Sequence, residues 1–62
     1  MEKMLKPIQV CEILELSLPT VRRLYRNGEL EYRRLGHRII RIYEWSVEQY
    51  VNKHKPPKLK NI

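Results

Sequence analysis

The residues best suited to bind a ligand are seven arginines, which all lie within residues 22–41. They are Arg22, Arg23, Arg26, Arg33, Arg34, Arg38 and Arg41. Residues 22–41 hold seven Arg and two Glu, a net charge of +5, and the whole chain carries a formal charge of +6. A guanidinium is a planar fork that grips a phosphate or a guanine edge through two hydrogen bonds. This clustering indicates a polyanionic partner, of which nucleic acid is the first candidate.

Other side chains offer little for catalysis or metal binding. The chain contains no Asp, and its single cysteine, Cys11, and two histidines, His37 and His54, lack the spacing of a zinc site. Glu29 and Glu31 are the closest pair of carboxylates, but no nucleophile, base or Gly-rich phosphate loop accompanies them. We therefore expect no enzyme and no bound metal or cofactor, and we expect Cys11 to be a small buried side chain.

Length and composition favour one small domain. A chain of 62 residues buries only about 60% of the surface that its unfolded form exposes. No stretch approaches the roughly 20 apolar residues of a membrane span, and residues 1–6 lack the apolar segment of a secretory signal. We expect a cytoplasmic domain over residues 1–54, without a membrane contact. Residues 55–62 contain three Lys and two Pro and are expected to form a basic, disordered tail.

Helical spacing of apolar residues predicts two short helices joined by a turn. The first helix covers about residues 7–14 and begins at Pro7, where the missing N–H costs little. Its predicted inward residues are Val10, Ile13 and Leu14. Residues 15–17 form the predicted turn.

The second helix is predicted to follow Ser17 as its N-cap, with Pro19 in its first turn, and to continue through residues 20–27. Gly28 suits the left-handed conformation that ends a helix. Its inward residues are Val21, Leu24 and Tyr25, and the arginines off that face are Arg22, Arg23 and Arg26. Two helices joined by about three residues form a helix-turn-helix, in which the second occupies the recognition position.

A hairpin is predicted from strands over residues 32–35 and 38–42. Gly36 and His37 lie between them, and Gly at the first position of a two-residue turn favours a type II′ hairpin. In the second strand Ile40 and Ile42 alternate with Arg41, so one face is apolar and the other is basic. A basic hairpin after a helix-turn-helix is a wing.

The last predicted helix runs from about Glu44 to His54. Its inward residues are Val47, Tyr50 and Val51, and Trp45 near its start is expected to be partly buried. The predicted fold class is therefore α+β: a small winged helix-turn-helix with a two-stranded wing and a C-terminal helix.

Two segments, Val10–Ser17 and Thr20–Leu30, resemble the small winged helix-turn-helix proteins of the excisionase family, which are related to the DNA-binding domain of MerR-type regulators. Arg34-Leu35-Gly36 and Arg41-Ile42 occupy the positions of that family's wing motif. The resemblance covers about residues 5–52. The family often has Gly at the position of Glu15 and Ala at the position of Cys11.

The resemblance implies an accessory factor that binds repeated sites near attachment DNA, bends it and helps an integrase to excise a mobile element. It equally allows a small MerR-like or AlpA-like transcriptional regulator, because fold does not fix function. A third alternative is a module that binds an acidic protein. The implied partners are double-stranded DNA, an integrase or recombinase, and neighbouring copies on DNA. We expect a free monomer, because the leucines leave no spare heptad face.

The second helix is expected to enter the major groove. Arg22 and Arg23 are the candidates for base edges, and Arg26 is the candidate for a phosphate. Ser17 and Thr20 lie at the helix start, where hydroxyls suit a phosphate oxygen. Ser17 has the alternative role of a cap alone.

The wing is expected near the minor groove, with Arg38 reaching into it. His37 is a candidate for a backbone contact or a turn residue with no such role. Arg33, Arg34 and Arg41 are expected to contact phosphates, or to cover apolar surface with their stems. In the tail, the lysines add nonspecific charge, or Leu59 and Ile62 contact a partner.

Overall fold

The computed structural model describes residues 2–54. This part of the chain contains three helices and three strands. The strands are β1 (Met4–Leu5), β2 (Tyr32–Gly36) and β3 (Ile39–Tyr43), and the helices are α1 (Pro7–Leu14), α2 (Leu18–Arg26) and α3 (Glu44–Lys53). This architecture confirms the α+β class and the winged helix-turn-helix. The tail over residues 55–62, with Leu59 and Ile62, lies outside the described residues.

The sheet is antiparallel and has β3 at its centre, in the order β1-β3-β2. Leu5 of β1 and Tyr32 of β2 both pair with Ile42. Sequence reasoning missed β1, because a strand of two residues is too short to show alternation. This strand brings the chain's start onto the sheet, and the backbone N–H of Glu44 donates a hydrogen bond to the Lys3 carbonyl over 3.0 Å.

The core is small and lies between the helices and the sheet. Its fully buried side chains are Val10, Val21, Leu30 and Ile42, and Leu5, Cys11 and Val47 are nearly so. The prediction that Cys11 is buried is confirmed. Leu24 and Tyr25 also pack against this core as expected, whereas Leu30 was missed because it lies outside any periodic segment.

Two predicted core residues are exposed, and those predictions are wrong. Ile13 is 54% exposed and Val51 is 41% exposed. In α1 the buried pair is Val10 and Cys11, and in α3 it is Ser46 and Val47, so each helix is rotated away from the face that apolar spacing indicates. Ile13 and Val51 instead line one groove of about 510 Å³.

The hairpin exists as predicted, but its turn lies one residue later. Gly36 belongs to β2 and pairs with Ile39, so the turn residues are His37 and Arg38. The left-handed residue is Arg38, with φ of 65°, and the predicted type II′ turn with Gly36 first is wrong. The cause is a register shift between Arg34 and Gly36, which leaves one extra residue in β2.

The helix boundaries need smaller corrections. α2 begins at Leu18, directly after the predicted N-cap position Ser17 and with Pro19 in its first turn as expected, and it ends at Arg26, one residue before the predicted end. Gly28 adopts the predicted left-handed conformation after α2, with φ of 86°. Trp45 is partly exposed, as expected, and its ring stacks on Tyr43 with centroids 5.7 Å apart.

Two isoleucines of β3 differ in burial, so shortening them should affect stability differently. Ile42 is fully buried and Ile39 is 44% exposed. We expect Ile42→Val to lower the free energy of unfolding by about 0.5–1.5 kcal/mol, because a buried methyl group is lost. Ile39→Val should change it by less than about 0.5 kcal/mol. Urea unfolding followed by Trp45 fluorescence measures both, and equal losses would contradict the burial of Ile42.

Candidate nucleic-acid interface

The turn between α1 and α2 sets the position of the second helix. Glu15 closes α1 in the left-handed conformation, with φ of 58°. The Leu16 N–H then donates a hydrogen bond to the Cys11 carbonyl over 3.1 Å. A left-handed residue with a Cβ is strained relative to Gly, so tertiary packing of the two helices holds this turn.

Ser17 stands at the N-cap position of α2 with an extended backbone, but its hydroxyl makes no capping bond. It hydrogen-bonds instead to the Thr20 hydroxyl, with the two oxygens 2.9 Å apart. The expectation of a side-chain cap is therefore wrong. The result is a pair of hydroxyls at the start of α2, beside N–H groups that carry the positive end of the helix dipole.

The outward side of α2 is basic. Arg22, Arg23 and Arg26 are all exposed, as their spacing predicts, while Val21 points into the core. Together with Pro19 and Asn27 the three arginines line a shallow groove of about 380 Å³ along the helix. The helix thus presents guanidinium groups along its length.

Two contacts fix the wing relative to the helices. The Tyr25 ring of α2 lies 4.8 Å, between centroids, from the Tyr32 ring of β2. Ser46 of α3 is 3% exposed, and its Oγ accepts a hydrogen bond from the Glu31 N–H over 3.1 Å. The same hydroxyl donates to the Tyr43 carbonyl over 2.8 Å. Ser46 therefore joins α3 to the residues that enter β2 and leave β3.

Sequence reasoning did not single out Ser46 or the tyrosine pair. A lone Ser inside a helix carries no spacing signal, and a buried hydroxyl is recognised only once its partners are known. The aromatic residues Tyr25 and Tyr32 are separated by a turn, so only the packed fold brings their rings together.

The structure brings one arginine of α2 and two of the wing around a single depression. Arg22, Arg38 and Arg41 line this depression, which has a volume of about 220 Å³. Its other lining residues are Pro7, Leu18, Tyr25 and Ile40. The recognition-position helix and the wing are therefore adjacent parts of one basic surface.

Of the predicted wing site residues, Arg33, Arg34 and His37 do not line this depression, whereas Arg41 does. Arg33 pairs with Arg41 across the strands and donates a hydrogen bond from Nε to the Tyr43 hydroxyl over 3.1 Å. Arg34 is exposed on β2, at the edge of the sheet, and His37 is exposed in the turn. Arg41 is half-buried and donates from a terminal guanidinium nitrogen to the Ile40 carbonyl over 2.9 Å.

Within the part of the chain that the structure describes, no carboxylate neutralises the basic surface. In the stretch from residue 2 to residue 54, the ion pairs are Lys3–Glu44, at 3.7 Å, and His54–Glu29, at 3.8 Å, the second of which requires a protonated His54. None of the seven arginines there lies within 4.0 Å of a carboxylate oxygen. Their charges remain available to an external anion.

Among the described residues we find neither a metal site nor a membrane-spanning helix. No three His, Cys, Asp or Glu side chains among them stand close enough to hold a metal ion. None of their helices is both long and apolar enough to cross a membrane.

Comparison with known proteins agrees with this geometry. The model of a family described as "Helix-turn-helix domain" matches residues 4–55. The match covers most of the chain, and the protein belongs to this helix-turn-helix family. It is a small DNA-binding family and is not typically enzymatic. A search of curated proteins found no match.

Proposed function

We propose that the protein binds specific sites in double-stranded DNA through α2 and the wing together, and that it acts as an accessory factor in integrase-mediated excision. The observation that carries the DNA-binding part is the shared depression lined by Arg22, Arg38 and Arg41. A duplex presents phosphates on both sides of each groove, so a surface built from a helix and a neighbouring hairpin matches it better than a helix alone.

In this proposal α2 enters the major groove. An α-helix with its side chains is about 10–12 Å across, and the major groove of B-form DNA is about 12 Å wide. Arg22 and Arg23 then reach base edges, most naturally guanine O6 and N7. Arg26, nearer the end of the helix, reaches a phosphate. The hydroxyls of Ser17 and Thr20 bind a phosphate oxygen at the helix start.

The wing lies along the adjacent minor groove. Arg38 at the turn reaches into that groove, whose negative potential attracts arginine. Arg33, Arg34 and Arg41 bind the flanking phosphates, and His37 contacts the backbone beside them. Arg41 covers apolar surface with its stem and keeps part of its guanidinium for the ligand, since one hydrogen bond to Ile40 uses only one of its donors.

The accessory role in excision rests on the resemblance of residues 10–17 and 20–30 to excisionases. A MerR-like or AlpA-like transcriptional regulator would use the same surface. The location of the bound sites separates these roles, because an excisionase acts beside attachment DNA and a regulator acts at a promoter.

Substitutions in α2 test the assigned roles. Arg23→Ala should weaken binding to the specific duplex by about 1–3 kcal/mol and change binding to a random duplex little, because a base contact is lost. Arg26→Ala is the matched control in the same helix. It should weaken binding to the specific and the random duplex equally and lower the magnitude of the salt slope by about 1, since a phosphate contact is lost. Fluorescence anisotropy titrations at several salt concentrations measure both effects.

Identical losses on specific and random duplexes for Arg23→Ala would show that Arg23 does not read bases. The assignment of Arg26 to a phosphate would fail if its removal relaxed sequence preference instead.

Retention of genomic DNA tests the biological role. Purified protein is mixed with sheared DNA from the source organism, and the retained fragments are sequenced. We expect clustered repeats beside a recombination attachment site. Enrichment at promoters away from any attachment site would replace the excision role with the regulatory one. No enrichment over input at moderate salt would contradict sequence-specific DNA binding altogether.

A further inference from the structure

Two large aliphatic side chains stand exposed at the tip of the wing. Leu35 is 52% exposed and Ile39 is 44% exposed, and they bracket the turn formed by His37 and Arg38. The core of the described chain contains only seven buried hydrophobic residues. Single exposed apolar residues are common on protein surfaces, but these two share one projecting hairpin end.

The backbone at the tip explains why Leu35 is not packed inward. Arg34 pairs with Ile40 and Gly36 pairs with Ile39, so Leu35 is the extra residue of a bulge and has no partner in β3. Bulges re-aim side chains and are frequent beside functional sites. Arg38 holds the turn in a left-handed conformation, with φ of 65°, that residues with a Cβ adopt rarely.

The surroundings of this tip indicate what would cover it. Arg33, Arg34, Arg38 and Arg41 lie in the same hairpin, and none of them has a carboxylate partner among residues 2–54. An apolar protein partner would have to bury these charges without compensation, which is strongly unfavourable. Duplex DNA offers phosphates for the guanidinium groups and stacked base faces for the aliphatic groups.

We infer that the wing tip carries an apolar wedge, formed by Leu35 and Ile39, that inserts between two base pairs from the minor groove and kinks the duplex. This inference rests on the proposed function. Side chains such as Leu and Ile unstack base steps in this way, and the kink opens the minor groove toward the protein. The arginines beside the wedge bind the phosphates that flank the opened step, and these contacts do not depend on the kink.

The inference also predicts which base step is opened. Pyrimidine–purine steps such as TA and CA/TG unstack most easily. The wedge should therefore favour one of these steps at the centre of the DNA segment that the wing contacts. This preference adds selectivity at a position where no side chain hydrogen-bonds to a base. It is separate from the base reading that is assigned to α2.

The test compares the wild type with the double variant Leu35→Ala/Ile39→Ala and with the control Ile13→Ala. Ile13 is as exposed as the wedge residues, at 54%, but lies in the groove of α1 and α3. The probe is a duplex of about 30 base pairs, the size of a bendable site, chosen from DNA that the protein retains. Fluorophores at its ends report bending by energy transfer, and 2-aminopurine at candidate steps reports unstacking. Circular dichroism verifies that each variant is folded.

We expect the wild type and Ile13→Ala to bend the duplex by about 20–90° and to raise 2-aminopurine fluorescence at one step. The double variant should leave the duplex nearly straight and abolish that rise. If about five to seven cationic groups neutralise phosphates, the wild type has a salt slope of roughly −4.5 to −6. The double variant should have the same slope, because the phosphate contacts are unchanged.

Binding by the wild type without bending or unstacking would overturn the wedge and leave the proposed DNA binding intact. The same conclusion would follow if the double variant bent the duplex as the wild type does. Failure of the wild type to bind any duplex would overturn both proposals. A loss of bending in Ile13→Ala equal to that in the double variant would also refute the wedge.

Discussion

The burial of Ile42 in the central strand is the constraint on which the rest of the structure depends. Ile42 is fully buried, and its backbone pairs with Leu5 on one side and Tyr32 on the other. Strand β3 also packs against α1 and α3. In a domain with so small a core, each fully buried side chain is a large fraction of the total stability. The wing is therefore an extension of the core strand rather than an independent hairpin.

This construction lets the protein hold many like charges close together. The arginines of α2 lie off a helix face that is anchored by Val21, and those of the wing lie on strands anchored by Ile42 and the Ser46 hydrogen bonds. Mutual repulsion between guanidinium groups opposes this arrangement, and no carboxylate among residues 2–54 relieves it. A polyanion would relieve it, so the same feature that costs stability in the free protein favours binding to DNA.

The sequence predicts the larger elements well because their periodicity is strong. Helix α1, the basic side of α2 and the alternation of Ile40, Arg41 and Ile42 all follow from spacing. The spacing of apolar residues wrongly placed Ile13 and Val51 in the core. Spacing shows which residues share a helix face, but not which part of that face is covered by other elements, and here a groove beside α1 and α3 stays open. It also failed at the hairpin turn, where one extra residue moved the left-handed position from Gly36 to Arg38. The arginine cluster was visible in sequence, but its meeting across α2 and the wing depends on the packed fold.

Amide chemical-shift mapping is the most direct measurement of whether α2 and the wing form one DNA-binding surface. Isotope-labelled protein is titrated with a duplex that it retains, and shifts are followed residue by residue. We predict that the largest changes fall on α2 near Arg22 and on the turn near Arg38, with small changes at Ile13 and Val51. Changes confined to α2, or concentrated in the groove that Ile13 and Val51 line, would contradict a joint surface.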